Sequence, residues 1–193
     1  LCVKNLSKYK RLGTTIDDAV GEAFDKTAKL LGIDFPGGPQ IEILAKKGDP
    51  SKYNLPKPIF NKGGCNLSFA GLKTAVLKIT KEIKTDQEKF DLAASFQKTI
   101  NDILYKKTKI AFSEYEKKIN PNEKKFVVAG GVAANKNIRS MLINLCNEFP
   151  NDEWFHDKLS RVYSLENEWK LASQTISKIK CLSELIKSIF LCA

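Results

Sequence analysis

Three groups of residues in this chain have types and spacings that could do chemistry. In the first, the apolar run at 126–129 (Phe-Val-Val-Ala) ends at Gly130-Gly131. Apolar residues then recur at helical spacing through Ile138, Met141, Leu142 and Leu145. Paired glycines let the backbone turn sharply and let a ligand approach without meeting a Cβ. A helix starting there offers unpaired N–H groups and the positive end of its dipole, which suit a phosphate. The strand–Gly-Gly–helix unit is therefore a candidate nucleotide site, although glycine also serves such turns for geometry alone. In the second group, Asp18, Glu22 and Asp25 fall at i, i+4 and i+7 of a predicted helix. Like charges at that spacing cost about 0.2–0.5 kcal/mol per pair. The stripe reads either as an exposed acidic face eased by Lys26 and Lys29, or as carboxylates presented to ribose hydroxyls, a metal or a base. In the third, Pro36-Gly37-Gly38-Pro39 fixes φ at both ends and bares the backbone between them.

These groups need elements to hold them. Thr15 predicts a helix cap, with Asp17 and Asp18 in the first turn. Ile16, Ala19, Val20, Ala23, Phe24, Thr27, Leu30 and Leu31 then predict an amphipathic helix that Gly32 ends. Ile41, Ile43, Leu44 and Ala45 predict a short helix carrying Glu42, and residues 46–58 read as a surface loop rich in Lys, Pro, Gly and Asp. A segment from Gly63 to Thr74 leads into a helix through Val76, Leu77, Ile79 and Ile83, and residues 86–119 are helical throughout by pattern. Asn120-Pro121-Asn122 is a turn into the strand at Phe126. At the other end, Leu1-Cys-Val-Lys4 and Tyr9-Lys-Arg-Leu12 predict two short strands joined by a polar turn. A chain that opens mid-sheet on leucine reads as part of a longer one.

The 193 residues carry a formal charge of +10, with 26 Lys/Arg against 16 Asp/Glu in residues 1–149 and 6 against 6 beyond. The basic excess fits either a polyanion-binding surface or a lysine-rich solvated one. Five scattered cysteines without a C-x-x-C pair argue against a disulfide framework and a zinc site, and favour a reducing compartment. His156 is the only histidine and cannot by itself build a metal site or a triad. No signal peptide is recognised and no apolar run approaches the roughly 20 residues of a membrane span. The expected location is cytoplasmic, with no membrane partner.

Four motifs now stand in order: Leu12-Gly-Thr-Thr-Ile-Asp-Asp-Ala-Val-Gly-Glu-Ala-Phe-Asp-Lys26, Pro36-Gly-Gly-Pro39, Asn66-Leu-Ser-Phe-Ala-Gly-Leu-Lys-Thr-Ala-Val76 and Ala129-Gly-Gly-Val-Ala-Ala-Asn135. Together they resemble the universal tRNA threonylcarbamoyladenosine synthase family, once called O-sialoglycoprotein endopeptidases, and its bacterial branch in particular. The resemblance covers residues 1–148. It implies an α/β, actin-like fold of ribonuclease-H-like topology, of which this chain holds mostly the helical part: residues 1–13 end the N-lobe sheet and 14–148 belong to the C-lobe. It implies transfer of a threonylcarbamoyl group from threonylcarbamoyl-adenylate to the adenosine 3′ of the tRNA anticodon, with partner proteins of a threonylcarbamoylation complex. It implies substrate-binding roles for Asp25 at the donor nucleotide, the Gly38 backbone at the same ligand, Glu42 at the ribose and Asn135 near the adenylate. A carboxylate suits vicinal ribose hydroxyls, and an amide at a helix N-terminus suits the rest.

The family also holds one iron or zinc ion through a His-x-x-x-His pair and a late aspartate, and those ligands are absent from these residues. No catalytic residue is assigned, and the chain alone is expected to be inactive. Residues 149–193 read as a divergent, partly helical tail in which the family pattern and the charge excess both stop. A shifted reading frame after about residue 148 would explain that change, and the other two frames of the gene test it. In the tail, His156 beside Asp157 reads as a solvated or partly packed histidine rather than an acid–base pair, and Trp154, Phe155 and Trp169 as packing anchors. The alternative is a non-catalytic binding remnant that meets partner proteins or tRNA. The Ala-Phe-Asp-Lys and Ser-Phe-Ala-Gly-Leu-Lys motifs count against another kinase-like member of the actin-type superfamily, and no nucleophile–base pair supports a protease.

Overall fold

The computed structural model describes residues 1–5, 8–119 and 126–148. The predicted turn at 120–122, His156, Asp157 and the whole tail from 149 lie outside them. Within them the chain is predominantly helical. Strands β1 (Cys2–Asn5) and β2 (Lys8–Lys10) pair antiparallel, with Val3 opposite Tyr9. Helices α1 (Val20–Leu30), α2 (Gly37–Ala45), α3 (Ala70–Thr80) and α4 (Asp86–Ile119) follow. A 3-10 turn (Gly131–Ala134) leads into α5 (Lys136–Asn147).

The core forms where α1 and α4 flank α2. Phe24 and Phe96 meet edge to face, 5.2 Å between ring centres, amid the fully buried Ile41, Leu72, Val76, Leu92, Ile100 and Ile103. At 34 residues α4 is the spine, and its bounds are those that its periodicity predicts. Gly32 closes α1 at φ +74°, where its N–H reaches Lys29 O and that of Ile33 reaches Ala28 O. That paired pattern satisfies two carbonyls at the helix end. The loop after α2 is bound to α4 rather than free on the surface. Asp91 accepts from the Asp49 amide (2.9 Å), Ser95 accepts from Tyr53 N (3.1 Å), and Leu55 is buried.

Two expectations need correction. The first helix starts at Val20, with Ala19 as its cap, not after Thr15. Thr15 instead forms a parallel bridge with Leu67, anchored by Ile16 N→Leu67 O and Leu67 N→Thr14 O at 2.9 Å each. Its hydroxyl donates to Asp18 O, and Ile16, expected on the buried face, is exposed. A long-range backbone pairing thus wins over local capping propensity. Likewise, residues 126–129 are in no ladder, and Val127 is 59% exposed. A strand draws its hydrogen bonds from a neighbour, and none of the described residues supplies one.

Candidate functional site

The glycine turn keeps its shape but not its expected sequel. Gly130 sits at φ +92°, where side chains are disfavoured, and the chain then makes the 3-10 turn before α5 begins. The start of α5 is already occupied. Asn135 is its cap: Oδ1 accepts from Ile138 N at 2.9 Å, and Nδ2 donates to Gln97 Oε1 of α4 at 2.8 Å. Glu42 reaches across from α2 and accepts from Lys136 N at 3.1 Å. Arg139 holds the 3-10 turn from the other side, with Nε and Nη2 donating to Ala133 O at 3.3 and 3.0 Å.

The carboxylate stripe divides in the same way. Asp18 precedes α1, and Lys26 lies between it and Glu22 at 2.6 Å from each, which offsets their like-charge repulsion. Hydrogen bonds to Asp18 and then Glu22 hold the Lys26 ammonium above its usual range. Asp25 stands apart. Its Oδ1 accepts from Gly37 N at 2.9 Å, so it caps α2 from the neighbouring helix. The two glycines of the Pro-Gly-Gly-Pro turn then differ. A Cβ on Gly37 would lie 2.5 Å from Ala28 Cβ and 2.9 Å from Asp25 Cα, so close packing of α1 on α2 demands glycine there. A Cβ on Gly38 would meet nothing within 4 Å.

The four residues singled out in the sequence therefore sit on elements in mutual contact. Asp25 touches the start of α2, Gly38 is the next residue along, Glu42 links α2 to α5, and Asn135 ties α5 to α4. Gly21 of α1 completes the circuit, where an added Cβ would come within 3.5 Å of Val132 in the 3-10 turn.

Other contributors were not foreseen. Asp17, read as a first-turn residue of α1, caps α3 instead. It accepts from Phe69 N at 2.7 Å, from Ala70 N at 3.3 Å and from the Ser68 hydroxyl. Burial pushes its carboxyl up, but these donors outweigh that and hold it below its ordinary 3.8. This clasp accounts structurally for the Ser68-Phe69-Ala70 part of the motif. Lys107 is buried and donates to Lys62 O (2.7 Å) and Gly64 O (3.3 Å), and its burial holds the ammonium below its usual range. Only the run of loop glycines at 63–64 hinted at such a need for donors. Gln97 gave no signal at all, because its partner lies 38 residues away.

An iron or zinc ion does not fit the described residues. No group of three or more His, Cys, Asp or Glu among them is placed to hold a metal, and the carboxylates nearest the glycine turns are already taken by amides. Nor is any helix among them long and apolar enough to cross a membrane.

The described residues thus form a helical block in which Asp25 ties α1 to the start of α2 and Glu42 ties α2 to the start of α5. Comparison with known proteins gives its family. The family model for tRNA N6-adenosine threonylcarbamoyltransferase matches residues 1–162. A curated protein of that name from Pelagibacter ubique (strain HTCC1062) is 78% identical over 148 residues, which is 77% of this chain and 42% of that one. Its counterpart in Rickettsia rickettsii (strain Sheila Smith) is 56% identical over 145 residues, 74% of this chain and 42% of its own. That of Rickettsia bellii (strain OSU 85-389) is 53% identical over 146 residues, 75% and 43% respectively. The chain belongs to the tRNA N6-adenosine threonylcarbamoyltransferase family, and it spans well under half the length of these relatives.

Proposed function

We propose that this chain forms one wall of the adenylate site of a transferase that moves a threonylcarbamoyl group from threonylcarbamoyl-adenylate to an adenosine of tRNA, within an α/β fold of the actin-like type. The observation that carries the reading is the contrast between Gly37 and Gly38. Packing explains the first, and nothing in the described chain requires the second. Glycine is the poorest helix former after proline, by up to about 1 kcal/mol relative to alanine in a helix interior. Close approach of a ligand to the backbone at Gly38 is the reason we assign to it.

In this reading Asp25, Glu42 and Asn135 act as positioning groups as much as contacts. Each holds an N–H at the start of a helix, so that the starts of α2 and α5 stay fixed. Asp25 Oδ2 is left to accept from a ribose hydroxyl, and Asn135 keeps one N–H for an adenylate oxygen. His156 is the only histidine, so the family's His-x-x-x-His pair is absent from this sequence. The 193-residue polypeptide alone is therefore expected to bind the donor without transferring it. Detectable modification of tRNA by the purified chain would overturn that part.

Calorimetric titration with a stable adenylate analogue tests the site. Gly38→Ala is expected to leave stability equal or higher while weakening binding by tenfold or more. Asp25→Ala is expected to weaken binding and stability together, because it also uncaps α2. Unchanged affinity in Gly38→Ala would remove the basis of the proposal.

A further inference from the structure

A second surface, lined by α1 and α3, has a composition that the adenylate site does not explain. A groove of about 570 Å³ runs between α1 and α3, and the ionisable residues that line it are all lysines: Lys26, Lys29, Lys73 and Lys81. Leu30 and Leu77 line the apolar part between them. The arrangement follows from helical spacing. Lys26, Lys29 and Leu30 stand at i, i+3 and i+4 on α1, while Lys73, Leu77 and Lys81 stand at i, i+4 and i+8 along α3 and its cap. Each set makes one stripe, and the two helices pack so that the stripes share the groove. Helix α3 carries no acidic residue in its length, so its charge is uncompensated along its own axis.

The four lysines are not equivalent. Lys26 is committed to Asp18 and Glu22. Lys29, Lys73 and Lys81 enter no ion pair among the described residues. Lys73 and Lys81 are separated by roughly 12 Å along the helix, from the 1.5 Å rise per residue. A line of separated cations with no buried donor suits a chain of phosphates, not one small anion, which would need its charges to converge. Lysine on a long stem also suits contacts that carry no sequence information.

The geometry points to the α1–α3 groove as a docking surface for the phosphate backbone of RNA. The inference rests on the family reading, in which the second substrate is a tRNA, and extends it to a groove that shares α1 with the adenylate site but is lined by other residues. Lys29, Lys73 and Lys81 make the contacts, and Lys26 stays locked in its carboxylate clamp.

The test is fluorescence anisotropy of the full 193-residue chain with an unmodified tRNA transcript over a range of salt. Lys29→Ala/Lys73→Ala/Lys81→Ala is compared with Lys10→Ala/Lys46→Ala/Lys52→Ala, which removes the same charge elsewhere. Each lost lysine–phosphate contact lowers the slope of log K against log salt by about 0.7–0.9. The groove triple is expected to lose about 2 units of slope, and the control triple far less. Lys29→Arg/Lys73→Arg/Lys81→Arg is expected to keep the wild-type slope, and circular dichroism checks that every variant is folded. Equal losses in the two triples would show binding by net charge alone and overturn the assignment. So would equal affinity for polyglutamate or for anionic phosphatidylserine vesicles. Adenylate titration on the same samples separates the two claims. Loss of the groove effect with intact adenylate binding removes only the groove, whereas groove-dependent RNA binding without adenylate binding removes only the site at Gly38.

Discussion

Helix α4 and the segment 126–129 make an instructive pair, because both are apolar-patterned and only one adopts its expected form. Helix α4 spans Asp86–Ile119 as its periodicity predicts. The four residues of 126–129 show no ladder at all. A helix satisfies its backbone within its own segment, so its pattern is self-sufficient once one face can be buried. A strand of the same apolar character depends on a neighbour for every backbone hydrogen bond. The segment holds its place through side chains instead: Phe126 stands edge-on to Phe112 of α4, 5.0 Å between ring centres.

Substitutions can break or sharpen this contrast. The largest effect is expected in the helical block. Phe96→Ala, which empties a fully buried site against Phe24, should cost about 3–5 kcal/mol in urea unfolding. A loss below about 1 kcal/mol would mean that the block does not depend on its α1–α4 contact. Asn135→Ala comes next, since it uncaps α5 and strands the buried Gln97 oxygen, for about 1–2 kcal/mol. Phe126→Ala should cost about 1 kcal/mol, with faster amide exchange centred on α5 and the end of α4, where Phe112 and Leu145 lose a neighbour. Unchanged exchange in α5 would show that Phe126, which also packs against the main core, holds nothing in place there.

The Asp17 clasp gives a smaller and pH-dependent effect. Its carboxyl titrates below the ordinary 3.8 because donors from Ser68, Phe69 and Ala70 outweigh burial. A depressed carboxylate stabilises the fold above its unfolded value, and that stabilisation disappears as pH falls through the folded one. Asp17→Asn should therefore cost about 1 kcal/mol at neutral pH, with the gap to the native chain closing below about pH 4. A gap that stays constant down to pH 2 would contradict the role of ionised Asp17. The smallest effect is expected at exposed Val127, where Val127→Thr should stay within about 0.5 kcal/mol. A larger loss there, read by thermal melting, would reveal packing that the described contacts lack.

Local features were legible because their causes are local. The Gly32 stop, the short helix carrying Glu42, the Asn135 position and the β1–β2 hairpin all follow from residues within a turn or two of each other. The misreading at Thr15 has the same origin. Its sequence neighbours favour a cap, and only Leu67, 52 residues later, diverts the backbone into a bridge. The candidate site was legible as a set of residue types and not as an arrangement. Asp25 and Glu42 were read as acidic groups facing a nucleotide, and the structure shows each also holding the start of another helix.

The order of motifs in the sequence by itself determined the family, the helical periodicities and the identity of the residues to watch. Tertiary structure alone decided which glycine is spent on packing and which stays open, and which carboxylate caps which helix. It also decided that two lysine stripes share one groove. The physical reason is range: periodicity and capping propensity act over a few residues, whereas a carboxylate on a foreign amide or a glycine under a neighbouring helix depends on how helices cross. That crossing is set by the burial of Phe24, Ile41, Leu72 and Phe96 together, and no single segment encodes it.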